Sequence, residues 1–353
     1  MAIKYLSGKR IQGTEAERTA LNLSPPPATS WKELGRATLS SGTSDSITTP
    51  TFAAKENLMI LVHTIPDGQV TANYRFNADS GSNYARRQSS NGASDGTGTS
   101  QDLLLAGHGA SGETTLVTSH IINKSNKEKL VITQIMAAVA GAGNAPDRRE
   151  LVGKWANTSA QITSVTLYNN DSGSFNAGTE VVVLGCDNDE ADSGTNFWQE
   201  LDSVELSATA NEIDSGTFTA KKYLWVQLHG VADGSISGAD LQFNGDTGSN
   251  YARRYSGNGD TDGTGTSEAT LGGIGTGSGD SFVSWFIINK SDNEKLVVGE
   301  GLANTTGAGN APDRRELTGK WANTSDSITS IKVKENGSGG WTNGTTLKVW
   351  GSD

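Results

Sequence analysis

The sequence predicts an all-β protein made of two tandem β-sandwich domains, jelly-roll-like and descended from an internal duplication, behind a short N-terminal arm. Three observations predict it. Phe76-Asn-Ala-Asp-Ser-Gly-Ser-Asn-Tyr-Ala-Arg-Arg87 returns as Phe243-Asn-Gly-Asp-Thr-Gly-Ser-Asn-Tyr-Ala-Arg-Arg254, differing only at Ala78/Gly245 and Ser80/Thr247. Of 353 residues 44 are Gly, while 34% are apolar and 19% charged. That suits short strands joined by turns in which Gly supplies positive φ, and it does not suit a disordered polyelectrolyte. Strand-like runs then recur at short spacing, about eight or nine per copy, with turn signals between them. Long loops between strands favour the jelly-roll variety.

Residues 1–29 stand outside the repeat. Thr14 can cap a helical turn or two, and three successive prolines (Pro25 to Pro27) make a stiff connector. The segment reads either as a frayed terminus or as a docking arm, to which Tyr5, Leu6 and Ile11 give something to bury. Module one occupies residues 30–186. It opens at Trp31-Lys-Glu-Leu34, continues through a fully apolar run at Leu58-Met-Ile-Leu-Val-His63, and turns at Pro66-Asp-Gly68. Val70 to Phe76 is a further strand. The Ser, Asn and Gly-rich stretch after the twelve-residue signature reads as a loop. Strands resume at Leu116 to Ile122 and Lys129 to Met136, and close at Leu151 to Trp155, Ile162 to Tyr168 and Thr179 to Leu184.

Residues 187–197, acidic and poor in apolar side chains, read as a linker. Module two, 198–353, repeats the order at an offset of 166 or 167. Trp198-Gln-Glu-Leu201 answers Trp31 to Leu34, and Gly307 to Leu317 repeats Gly141 to Leu151 without a change.

Composition also excludes classes of function. A net charge of −11 opposes binding to nucleic acid or to an anionic membrane, so neither is expected as a partner. The lone Cys186 allows no intramolecular disulfide and no Cys-based zinc site. No apolar run reaches the roughly 18 residues of a spanning helix. The first residues lack a signal-peptide core, so folding in a cytoplasm is expected. No His-Glu-x-x-His or P-loop occurs, and no enzyme is expected.

The Phe-Asn-Gly-Asp-Thr-Gly-Ser-Asn-Tyr run at Phe243 to Tyr251, with Lys320-Trp-Ala-Asn-Thr-Ser-Asp-Ser-Ile-Thr-Ser330, Gly344 to Gly351 and their counterparts in module one, resembles the β-sandwich module of tailed-phage virion proteins. Such proteins are tail fibres, head fibres or other phage structural proteins. The start of the chain, Lys4 to Gly13, resembles that of marine virus proteins carrying the module. The resemblance covers nearly the whole chain and implies a virion protein with no catalytic site, without fixing its station. A capsid-exterior decoration protein or head fibre, anchored by the arm, leads. A receptor-binding tail fibre, a double jelly-roll major capsid protein and a carbohydrate-binding module of a surface protein are the alternatives. The expected partners are copies of the chain itself and other virion proteins, with a host-surface glycan as a further candidate, and the expected location is the virion.

Several residues are candidates for particular roles. Asp79, Asn83, Asp246 and Asn250 lie in Gly/Ser loops, where they either form turns or gather oxygens around Ca²⁺; no other cofactor is expected. Arg148 and Arg149, with Arg314 and Arg315, sit in Asp-Arg-Arg-Glu clusters that either brace a loop within a module or meet a neighbouring module or subunit. Trp225 and Trp341 lack a tryptophan counterpart in module one and are candidates for a ligand surface, whereas Trp155 and Trp321 are expected in the core. His63 and His229 occupy equivalent strand positions and are expected to pack there.

Overall fold

A computed structural model of the chain describes residues 31–109, 113–187, 197–232, 238–274, 281–303, 313–337 and 339–353. The N-terminal arm, with Tyr5, Leu6 and Ile11, and nearly all of the acidic linker lie outside the described residues. Among those described, module one contains β1 (Lys32–Thr38), β2 (Thr43–Ser44), β3 (Ser46–Thr48), β4 (Asn57–Thr64), β5 (Val70–Phe76), β6 (Tyr84–Ser90), β7 (Gly96–Gln101), β8 (Leu104–Gly109), β9 (Thr114–Ile122), β10 (Lys129–Ala138), β11 (Asp147–Trp155), β12 (Val165–Asn169), β13 (Phe175–Asn176) and β14 (Glu180–Cys186). Module two contains β15 (Gln199–Glu205), β16 (Glu212–Asp214), β17 (Tyr223–Gly230), β18 (Ala239–Phe243), β19 (Tyr251–Gly257), β20 (Gly263–Glu268), β21 (Leu271–Ile274), β22 (Ser281–Ile288), β23 (Lys295–Ala303), β24 (Asp313–Trp321), β25 (Ile331–Glu335) and β26 (Thr346–Ser352).

Each module is an antiparallel sandwich of unequal sheets. In module one an eight-stranded sheet, ordered β1-β14-β4-β9-β10-β11-β6-β7, faces a four-stranded sheet, β3-β12-β5-β8. Module two repeats this as β15-β26-β17-β22-β23-β24-β19-β20 and β16-β25-β18-β21. Side chains alternate along each strand, so Leu58, Ile60, Val62, Val117 and Val131 turn inward onto Tyr74, Phe76, Leu104 and Leu167 of the small sheet. Their equivalents build the core of module two, around Trp285, Phe243 and Trp341.

The strand count exceeds the eight or nine expected per module, chiefly because the stretch after the signature is not a loop. It forms the hairpin β6–β7 at the sheet edge, turning at Asn91-Gly92 with φ of 51° and 73°. Asn258-Gly259 repeats the turn at 55° and 82°. Asn-Gly is the pair that tolerates positive φ at both corners of a tight hairpin. These edge strands need few apolar residues because little of them faces the core, and that hides them from a hydrophobicity reading.

The signature itself is a clasp between the sheets. The Tyr84 hydroxyl accepts from the Phe76 amide (2.9 Å) and donates to the Asp79 carbonyl (3.2 Å). Asp79 accepts from the Gly81 amide (2.8 Å), the Asn83 side chain (2.9 Å) and the Trp155 indole (2.7 Å). Burial would push this carboxyl up, but the three donors outweigh it and hold it below the usual carboxylate range. Asp246, Asn250, Tyr251 and Trp321 repeat the arrangement. The carboxylates of Asp79 and Asp246 thus cap turns and hold buried tryptophans, and the amides of Asn83 and Asn250 point their N–H groups at them, which is the turn-forming role of the two expected for these residues. Among the described residues no group of three or more His, Cys, Asp or Glu side chains converges.

Candidate functional site at the seam between the modules

The outward face of an eight-stranded sheet should be polar if water covers it. Here much of it is apolar, because the two large sheets pack on each other. Met59, Leu61, Leu116, Met136, Ala138, Val182 and Leu184 of module one meet Phe197, Trp198, Tyr223, Phe286, Ile288, Leu296, Val298 and Trp350 of module two in a third buried cluster. This explains why the run Leu58 to His63 is apolar on both faces of its strand. Equivalent positions touch near the centre: the His120 ring lies 6.1 Å from that of Phe286, and Gln134 donates to Glu300 (3.1 Å).

Charged groups are buried along the same seam. Glu180, at the start of β14, accepts from Lys222 (2.5 Å), the Tyr223 hydroxyl and Thr38 (2.7 Å). Burial alone would raise its carboxyl, yet these donors keep it below the usual range, while burial and the adjacent carboxylate push the Tyr223 phenol well up. Lys320 donates to the Val139 carbonyl, and Glu294, 3.3 Å from its ammonium, accepts the Gly141 amide (2.6 Å). Burial lowers the Lys320 ammonium against the pull of Glu294. His63 lies buried beside this network with neither ring nitrogen hydrogen-bonded, and burial together with Lys290 and Lys222 lowers it to about 3.

The Asp-Arg-Arg-Glu clusters divide. Arg148 crosses the seam to Asp262 at 2.5 Å, with Glu316 at 3.8 Å and Glu150 in contact. Both members of the Arg148–Asp262 pair are buried, at 6% and 1% side-chain exposure. Arg149 is half-buried, and desolvation lowers it. Arg314 is 67% exposed and pairs with Glu316 of its own strand (2.9 Å). Arg315 stays near Asp313 (3.8 Å). Of the four arginines, Arg148 is the one these contacts carry across the seam, with Arg254 reaching back to the Pro146 carbonyl (2.8 Å).

A cleft of about 360 Å³ opens beside these pairs, lined among others by Arg87, Asp95, Arg148, Glu150, Arg314 and Glu316. Its arginines are paired within the cleft: Arg87 with Asp95 (3.3 Å), Arg148 with the acids named above, Arg314 with Glu316. The arrangement braces two modules and presents no activated nucleophile among the described residues. Gly92-Ala-Ser-Asp-Gly96 does spell the nucleophile-elbow pattern Gly-x-Ser-x-Gly, against the expectation that none occurs. It lies at the β6–β7 hairpin turn and not at the strand-to-helix turn that pattern requires.

One of the two aromatic expectations is corrected. Trp341 is fully buried and packs over Gly230, where a β-carbon would collide with its ring, so it offers no face to a ligand. Trp225 is half-buried, stacks on Phe286 (5.5 Å) and donates to Ser284 (2.8 Å). Trp155 and Trp321 are core residues, as expected. His63 is buried as expected, but His229 is exposed. The seam residues Glu180, Lys222, Tyr223, Glu294 and Asp262 were not singled out as interface residues. A signal existed: Glu180 is replaced by Thr346 in the other copy, and Lys222-Tyr223 by Glu56-Asn57.

No family model matches the chain, and no curated protein matches it. Among solved structures, domains LG4-5 of the mouse laminin alpha1 chain align over 92% of this chain and 90% of that one, at 12% identity and a TM-score of 0.20. A likeness so slight carries no argument about function.

Proposed function

We propose that the chain is a non-enzymatic structural component of a virus particle, a capsid-exterior decoration protein or head fibre, working with copies of itself and other virion proteins. The observation that carries the reading is the seam. The signature motifs are spent on clasping the two sheets within each module, and the buried charges around Glu180, Lys320 and Arg148 on bracing the two sandwiches into one body. The resemblance of the signature, the Lys-Trp-x-Asn-Thr segments and the closing strands to tailed-phage virion modules supports the same reading. The glycan-binding alternative loses Trp341 as a platform and keeps the half-buried Trp225.

Quantitative mass spectrometry of gradient-purified particles tests the proposal. Hundreds of copies per particle are expected. A few to a few dozen would move the chain to a fibre or tail station, and absence from particles would overturn the reading.

A further inference from the structure

The seam joins unlike surfaces, and it leaves one of each unpaired. In module two the outward strip Ile288, Leu296, Val298 and Thr318 is buried. Its equivalents in module one, Ile122, Leu130, Ile132 and Val152, are 45% to 61% exposed. They are contiguous, because Ile122 pairs with Leu130 across β9–β10 and Ile132 with Val152 across β10–β11. The covering surface shows the reverse pattern. Leu116 and Met136 of module one are buried in the seam, whereas their equivalents Phe282 and Leu302 are 43% and 44% exposed.

We infer that the open strip of module one is a docking site for a second copy of this chain, whose Phe282 and Leu302 surface covers it. The chain already contains the template, since the same two kinds of surface meet within it, and the open strip is continuous with that seam. Within the chain Arg148, on the covering side, meets Asp262, on the strip side; their equivalents Arg314 and Asp95 line the internal cleft of the same chain and pair there with Glu316 and Arg87, so the contact between chains rests on the apolar surfaces alone. The internal seam keeps Phe282 and Leu302 from reaching the strip of their own chain, because Glu180, Lys222 and Tyr223 hold the modules as they are. Thr346 stands where Glu180 would be needed, so the contact between chains lacks that anchor and is the weaker of the two. Each docking leaves a free strip at one end and a free cover at the other. The contact is heterologous and repeats head to tail, closing into a ring or continuing as a row.

The inference deepens the structural role and rests on it for its biological meaning. The test is sedimentation of the full chain over a concentration series, with Ile132→Glu and Leu302→Glu. Wild type should self-associate, and each variant should do so at least tenfold more weakly. An equimolar mixture of the two variants should form dimers that grow no further, since each retains the surface the other lacks. A wild type that stays monomeric at hundreds of micromolar would overturn the inference. So would an Ile132→Glu chain that associates normally, or a Leu130→Cys/Leu302→Cys chain that cross-links within monomers. Association of this kind by a protein absent from particles would sink the virion reading and leave the contact standing; an abundant virion protein that is monomeric here would do the opposite.

Discussion

Arg148 and Arg314 lie in identical eleven-residue stretches, Gly141 to Leu151 and Gly307 to Leu317, on equivalent strands of equivalent sheets. One is buried across a module boundary and the other stands mostly in solvent. The clasps built on Asp79 and Asp246 are by contrast alike bond for bond. Local sequence therefore dictates the clasp, which is closed within one module, whereas the environment of Arg148 is set by what its module happens to face.

Breaking the seam should separate the two arginines most sharply. Arg148→Ala leaves the buried Asp262 with only Arg254, 3.9 Å away, as its cation and is expected to cost about 3 kcal/mol, the low end for a broken buried pair, while Arg314→Ala should stay within about 0.5 kcal/mol. Chemical denaturation of both variants checks this; equal losses would mean that the seam does not bury Arg148 in solution. Leu296→Ala and Leu130→Ala make the apolar version of the comparison. The first opens a cavity in the seam and should cost about 2–5 kcal/mol. The second, at an exposed position, should cost far less when measured on the monomer at low concentration.

The clasps should behave the other way. Asp79→Ala and Asp246→Ala each strand a buried indole N–H and should each cost about 1–3 kcal/mol. Melting the two variants side by side would reveal any inequality, and a clear one would show that the copies have diverged there too. The smallest effect is in pH. Unfolded His63 takes up a proton near the ordinary 6.5, but folded His63 stays neutral down to about 3. The unfolded chain thus binds more protons in that window, and stability falls as pH falls below 6.5, by at most about 1.4 kcal/mol per pH unit for this one group. His63→Leu should flatten the slope between pH 6.5 and 5, above the range where carboxylates such as Glu180 join in.

Fold class and duplication were legible because a two-residue alternation and a repeated signature are local properties of the chain. The β6–β7 hairpin was hidden because its strands are nearly free of apolar residues. The seam was hidden for a different reason. Equivalence between copies points to what both modules need, namely Asn83 with Asn250 or Trp155 with Trp321. A contact between unlike faces is made where the copies differ, as Glu180 and Thr346 do. Arg148 was marked together with three neighbours, and nothing in four identical letters could say which one would cross. Met59 and Leu61, outward between the inward Leu58, Ile60 and Val62, broke the alternation expected of a wetted face, and that was the trace of the seam in the sequence.

Carrying both modules on one polypeptide changes what the seam must achieve. Two separate modules would have to find each other, and their pairing would rise and fall with dilution. A tether replaces that search with an effective local concentration on the order of millimolar. Contacts too weak to hold free modules together are then occupied nearly all the time, at any abundance of the protein. The Glu180 network can accordingly act less as glue than as an alignment pin, choosing which faces meet once meeting is assured.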